Sequence, residues 1–172
     1  MGNVTVFSPQ NIGTSDIKGI EANFKYSPFN KITFNGDFNY NFFTREGQFE
    51  DQQFDFSNDQ WSTKITSKIK VNKEFDFEVT GRYESEVQTV QGRRSAQSYM
   101  DFGARYKILK GKVVLNASIR DVFASRIRES FVFGENFESS RRSQLGRFIS
   151  LGVSYGFGKG EAITYGGAGR RR

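Results

Sequence analysis

Apolar and polar residues alternate one for one along most of this chain. Residues 75–85, FDFEVTGRYES, show the pattern. Phe75, Phe77, Val79, Gly81 and Tyr83 fall on one side, and Asp76, Glu78, Thr80, Arg82 and Glu84 on the other. Successive strand side chains point to opposite faces, so period two predicts a ribbon with one apolar and one charged face. Six more segments read the same way: 17–27, 31–43, 60–72, 97–108, 112–124 and 146–158. The alternation stumbles at Asp121-Val122-Phe123, which predicts a bulge in the sixth. VTVF at 4–7 reads as the end of an eighth strand. No segment fits helical spacing better.

The links differ in length. Residues 28–30, 72–74 and 109–111 predict tight turns, and 44–59, 88–96 and 125–145 predict long polar loops. Short turns at one end and long loops at the other predict an antiparallel up-and-down sheet with the layout of an outer-membrane barrel. A soluble barrel also alternates, but with its apolar residues inside.

Three features favour lipid. From Ile32 to Phe42 the apolar stripe spans roughly 33 Å of strand, or about 23 Å of height at a tilt of about 45°, close to the usual apolar band. Aromatics gather at both ends of the stripes, as in interfacial girdles: Tyr26, Phe75, Tyr106, Tyr155 and Phe157 at the turn end, and Phe42, Trp61, Tyr83, Tyr99 and Phe123 at the loop end. The opposite face carries Asp37, Lys68, Glu78, Arg82 and Arg105 at mid-strand. With Val71 opposite Phe75, Lys70 meets Asp76 and Lys68 meets Glu78, a register favoured by opposite charges and suited to a wet lumen. The expected lipid-facing residues are Phe24, Phe34, Phe38, Ile65, Ile69, Phe77, Val79, Phe102, Leu115, Ile149, Leu151 and Val153. The expected interfacial aromatics are Tyr26, Phe42, Trp61, Tyr83, Tyr106, Tyr155 and Phe157.

Composition reads as all-β and leaves no room for a transmembrane helix. Only 36% of the 172 residues are hydrophobic, yet 19 are Phe, 18 are Gly and only 2 are Pro. Mean hydropathy is −0.59, and no apolar run reaches the length a spanning helix needs. A barrel strand needs an apolar residue only at every second position, so low hydropathy does not oppose it. The absence of Cys and His excludes disulfides, Cys- or His-based metal sites, and catalysis through a Cys nucleophile or a His base. The net charge of +6 owes much to the terminal GRRR, read as a solvated tail rather than a nucleic-acid site. MGNVTVFSPQ has no signal-peptide pattern; a leader has been removed, or Met1 is not the natural start.

NIGTSDIKGIEANFKYSPFNKITFNGDFNYNF, with Asn11, Gly13, Gly19, Ile20 and Glu21, resembles the late barrel strands of TonB-dependent outer-membrane receptors. NASIRDVFASRIRE, with Asp121, Val122 and Phe123, resembles their penultimate strand, and GRFISLGVSYGFGKG their closing strand. The likeness covers about residues 3–158. It implies a 22-stranded barrel filled by a plug, importing scarce nutrients with energy passed through TonB. This chain holds seven or eight strands and neither plug nor TonB-contact segment, so the resemblance implies the C-terminal third of a receptor. Its partners would be outer-membrane lipid and, through missing upstream sequence, the plug and the TonB system. Residues 1–158 would form the barrel segment in the outer membrane of a Gram-negative bacterium, and 159–172 a flexible basic periplasmic tail. A small eight-stranded structural or adhesive barrel and a soluble lipid-binding barrel are the alternatives.

Chemistry-bearing motifs are weak. GFGKGE at 156–161 fails the phosphate-loop pattern because Gly160 follows Lys159. Glu50-Asp51 and Glu74/Asp76 are not fixed around a scissile bond. The acidic, Phe-bearing stretch 46–59 has no calcium-loop spacing; it and the Arg-rich 125–145 are expected at the outer rim, where loops often carry function. The expectation is no enzyme, no cofactor, no metal and no nucleic-acid partner, with the transported substrate unassigned.

Overall fold

The computed structural model describes residue 11 and residues 13–49, 51–134 and 137–157. Among these residues, eleven strands form two antiparallel sheets. They are β1 (Gly13–Phe29), β2 (Ile32–Phe49), β3 (Gln52–Lys70), β4 (Phe75–Glu84), β5 (Val87–Thr89), β6 (Gly92–Arg94), β7 (Gln97–Ile108), β8 (Val113–Arg120), β9 (Ile127–Phe133), β10 (Glu138–Gln144) and β11 (Phe148–Tyr155). The main sheet runs β1-β2-β3-β4-β7-β8-β11 and contains all seven expected strands. Among the described residues it does not close: β1 pairs only with β2, and β11 only with β8. VTVF at 4–7 and the tail 159–172 lie outside the described residues.

The tight turns have local causes. The Asn72 side-chain oxygen accepts the backbone N–H of Glu74 at 2.9 Å and of Phe75 at 2.7 Å, a turn bonded through the asparagine side chain. Leu109, Lys110 and Gly111 all take positive φ (53°, 55° and 85°) between β7 and β8. Left-handed backbone of this kind matches hairpin twist, and only Gly111 holds it without steric cost.

The three expected long loops are corrected. Residues 44–49 and 52–59 continue β2 and β3, which pair residue for residue from Ile32↔Ile69 to Phe49↔Gln52. Parts of 88–96 and 125–145 form the second sheet, ordered β10-β9-β6-β5, which sits at the end of the main sheet opposite the tight turns.

The bulge expected at Asp121-Val122-Phe123 is also corrected: β8 ends at Arg120, and a turn follows. Asp121 is 2% exposed. Its carboxylate accepts the backbone N–H of Ser125 at 2.8 Å and of Arg126 at 3.0 Å, while its own N–H donates to Asp101 Oδ1 at 2.9 Å. A buried carboxylate with these partners ties β7, β8 and the approach to β9 into one corner. Asp121→Ala should therefore lower unfolding free energy by about 1–3 kcal/mol, with Asp121→Asn losing less because one acceptor survives. Urea unfolding of the vesicle-inserted protein measures both.

Candidate membrane interface

Cross-strand partners share a face, so the register assigns every side chain. Starting from Ile20, Ala22, Phe24 and Tyr26 on β1, one face continues through Ile32, Phe34, Phe38 and Tyr40 on β2. It passes through Trp61, Ile65 and Ile69 on β3 to Phe75, Phe77, Val79 and Tyr83 on β4. Met100, Phe102, Ala104 and Tyr106 carry it to Leu115, Ala117 and Ile119, and then to Ile149, Leu151, Val153 and Tyr155. The whole expected lipid-facing set lies on this one surface.

That surface is not a protein core. Leu151 is 79% exposed and Val153 73%, and Phe24, Ile65, Phe102 and Leu115 are exposed as well. Among the described residues the buried large apolar side chains are Phe43, Val87 and Val114, and none belongs to this face. In water, a continuous exposed apolar sheet face of this extent would drive association. Close packing exists within the face. The Phe24 ring lies over Gly36 and leaves no room there for an added Cβ, an aromatic covering a strand glycine. Trp61 and Tyr83 rings stack at 4.5 Å, and Phe75 and Tyr106 meet edge-on at 6.2 Å.

The aromatics expected at the edges separate into two groups. Tyr26, Tyr106 and Tyr155 sit near the turns, while Trp61, Tyr83 and Phe42 sit near the far end. Phe157 follows β11 and is exposed. Tyr99 is a correction: its register with Arg82 puts it on the charged face, where the Arg126 guanidinium stands 4.7 Å from its ring. Phe123 lies in the turn after β8.

Above Tyr40 and Trp61 the polarity of the two faces reverses. The apolar face continues as Lys18, Asp16 and Thr14 on β1, as Phe42 and then Thr44 and Glu46 on β2, and as Asp59, Ser57 and Asp55 on β3. The large apolar side chains move to the other face: Ile17, Phe43, Phe54 and Phe56. Phe43 is buried, meets Phe56 edge-on at 6.4 Å and carries the Arg45 guanidinium 4.6 Å from its ring. β1 and β3 switch at Lys18 and Asp59, and β2 one step later, after Phe42. A boundary between hydrocarbon and water crossing the sheet there accounts for the switch; a uniform solvent does not.

The charged face is knit by pairs. Lys68 lies opposite Glu78 at 3.3 Å, and Lys64 opposite Asp37 at 3.8 Å. Lys70 faces Asp76 in register, but the Asp76 carboxylate is taken by Arg105, at 3.0 Å from Nε and 2.6 Å from Nη2. Thr66 and Thr80 hydroxyls bond at 3.0 Å, both buried. Glu84 accepts from Gln60 and Gln97, joining three strands. A cavity of about 520 Å³ opens here, with Glu21, Asp37, Asn39, Lys64, Arg82 and Tyr99 in its lining. Sequence reasoning missed this cluster because its residues come from five strands whose register is set only on folding.

A family model described as the outer membrane protein beta-barrel family matches residues 1–155, and the chain belongs to that family. No curated protein and no solved structure matches it. The molecule is an outer-membrane β-barrel protein, of all-β antiparallel class.

Arginine placed on the two faces should behave differently. Leu151→Arg and Ile65→Arg should each cost about 2–4 kcal/mol of folding into lipid, while Ser118→Arg, on the charged face, should stay within about 0.5 kcal/mol. Reversible urea unfolding in vesicles compares all three.

Proposed function

We propose that this chain is the C-terminal wall of a TonB-dependent receptor that takes up a scarce nutrient across the outer membrane. The open main sheet carries this reading. Seven strands present a full-height apolar face, yet β1 and β11 each leave one edge unpaired among the described residues. In hydrocarbon each unsatisfied backbone group costs several kcal/mol, so such a wall needs neighbours on both sides. A wide barrel supplies them, and family membership and the receptor-like strand sequences agree with it.

In this reading Phe24, Phe34, Phe38, Ile65, Ile69, Phe77, Val79, Phe102, Leu115, Ile149, Leu151 and Val153 face lipid. The Asp37–Lys64, Lys68–Glu78 and Asp76–Arg105 pairs line a wet lumen, where a plug would sit. Tight turns point to the periplasm. The β2–β3 extension and the β10-β9-β6-β5 sheet stand at the cell surface, where ligand arrives. The chain acts as a wall and a gate, not as an enzyme.

Two measurements test this. An antibody against Glu138–Gln144, applied to outer membranes of the source cell, should detect a polypeptide several-fold larger than 19.6 kDa that cross-links to TonB. A band at 19.6 kDa without cross-linking would instead make the protein a small barrel. The absence of native Cys permits single-site labelling. Ser57→Cys should react with an impermeant maleimide on intact cells, and Lys73→Cys only after the outer membrane is permeabilised; the reverse result inverts the orientation.

A further inference from the structure

The three tight turns share a composition that turn geometry does not require. Phe29 and Lys31 stand at the first, Val71 and Lys73 at the second, and Leu109, Lys110 and Lys112 at the third. In each, an exposed apolar side chain (Phe29 68%, Leu109 66%) neighbours an exposed lysine. Lys25, Lys70 and Lys107 lie within a few residues of the same turns, on the charged face. Against these seven lysines the described part of the rim holds Glu74 and Asp76, and Asp76 is already engaged by Arg105 at 2.6 Å.

An acidic water-soluble partner would account for the lysines but not for an exposed Phe, Val or Leu at each turn. A lipid interface accounts for both. The apolar side chain enters the boundary of the acyl region while the neighbouring ammonium group extends to the headgroups. The rim is also continuous with the lower edge of the apolar face, where Tyr26, Phe75, Tyr106 and Tyr155 stand. Lysine is suited to such a boundary, because a compact charge on a flexible stem, with three donors, follows a mobile phosphate.

We infer that the turn rim is a binding collar for the phosphate headgroups of anionic phospholipid in the leaflet the turns enter. This rests on the membrane placement of the apolar face given above, and not on the receptor role or on TonB.

The test uses the full chain, extracted from outer membranes into mild detergent. Native mass spectrometry counts bound phosphatidylglycerol against zwitterionic phosphatidylcholine. The wild type should prefer phosphatidylglycerol by about tenfold, since each lysine near an anionic surface favours association about fivefold and only some engage at once. Rising salt should erode that preference. The combined variant Lys31→Gln, Lys73→Gln, Lys110→Gln and Lys112→Gln should fall to near parity. Arginine at the same four positions should keep the preference, and Lys64→Gln with Lys68→Gln, on the charged face, should leave it unchanged.

Equal retention of the two lipids by the wild type overturns the collar, as does a preference that the four glutamines or salt leave intact. Binding of poly-glutamate that depends on the four lysines, without lipid preference, also overturns it and assigns the rim to an acidic partner. Failure of the chain to fractionate with the outer membrane would overturn the membrane placement itself, a separate result.

Discussion

The whole molecule depends on one constraint: paired strands hold a single register, and the register decides which side chains share a face. A slip of one residue would exchange the two faces entirely. Here the pairings of the main sheet, from Ile20 and Tyr40 down to the tight turns, keep most of the aromatics and aliphatics on one face. The cross-strand ion pairs belong to the same arrangement. A slip between β3 and β4 would leave Lys68 opposite an apolar neighbour of Glu78, in a slot built for Phe77 or Val79. Each exposed pair contributes at most about 1 kcal/mol to stability; its value here is to make the alternatives worse.

With the faces fixed, the distribution of burial becomes intelligible. A soluble sheet buries its apolar face and exposes its charged one. In this protein Thr66 and Thr80 are buried on the charged face, while Leu151 and Val153 stand free on the other. The inversion ends where the faces exchange polarity above Tyr40 and Trp61. Beyond that level Phe43 and Phe56 pack against each other, as rings do where both sides meet water. One chain therefore follows two burial rules, as the proposed placement in lipid requires.

The polarity switch also separates what was legible in the sequence from what was not. Within the band only one face is apolar, so period two is unambiguous, and the seven strands and their faces could be read directly. Outside it the signal fails for physical reasons. Beyond Phe42 and Trp61 the faces have exchanged polarity, so Phe43, Phe54 and Phe56 break the count carried over from the band, and the stretch 44–59 reads in the sequence as an irregular loop. β5, β6 and β10 are short or wholly polar and are recruited by tertiary pairing rather than by a pattern of their own. Asp121 ends a strand through hydrogen bonds to residues four and five positions onward, which alternation does not encode. Tyr99 had the right chemistry for a girdle but the wrong parity; counting from Met100 and Phe102 would have placed it correctly. The charged-face cavity required the register of five strands at once.

The two cationic residue types are sorted along the same axis. Among the described residues the ring–cation contacts, Arg45 on Phe43, Arg82 and Arg126 on Tyr99, Arg93 on Phe131 and Arg120 on Phe148, all use arginine and all lie toward the end away from the tight turns. Lysine dominates the turn rim. A planar guanidinium stacks on rings and bonds carboxylates with fixed geometry, so it suits a surface that must hold its own shape in water. An ammonium on a long stem holds little shape but reaches outward. The arginine end is therefore built to pack on itself, as the proposed projection beyond the bilayer requires. The lysine end leaves its charges free for whatever lies beneath. That division follows the direction of the polarity switch, so a single membrane axis orders the side-chain chemistry of both ends.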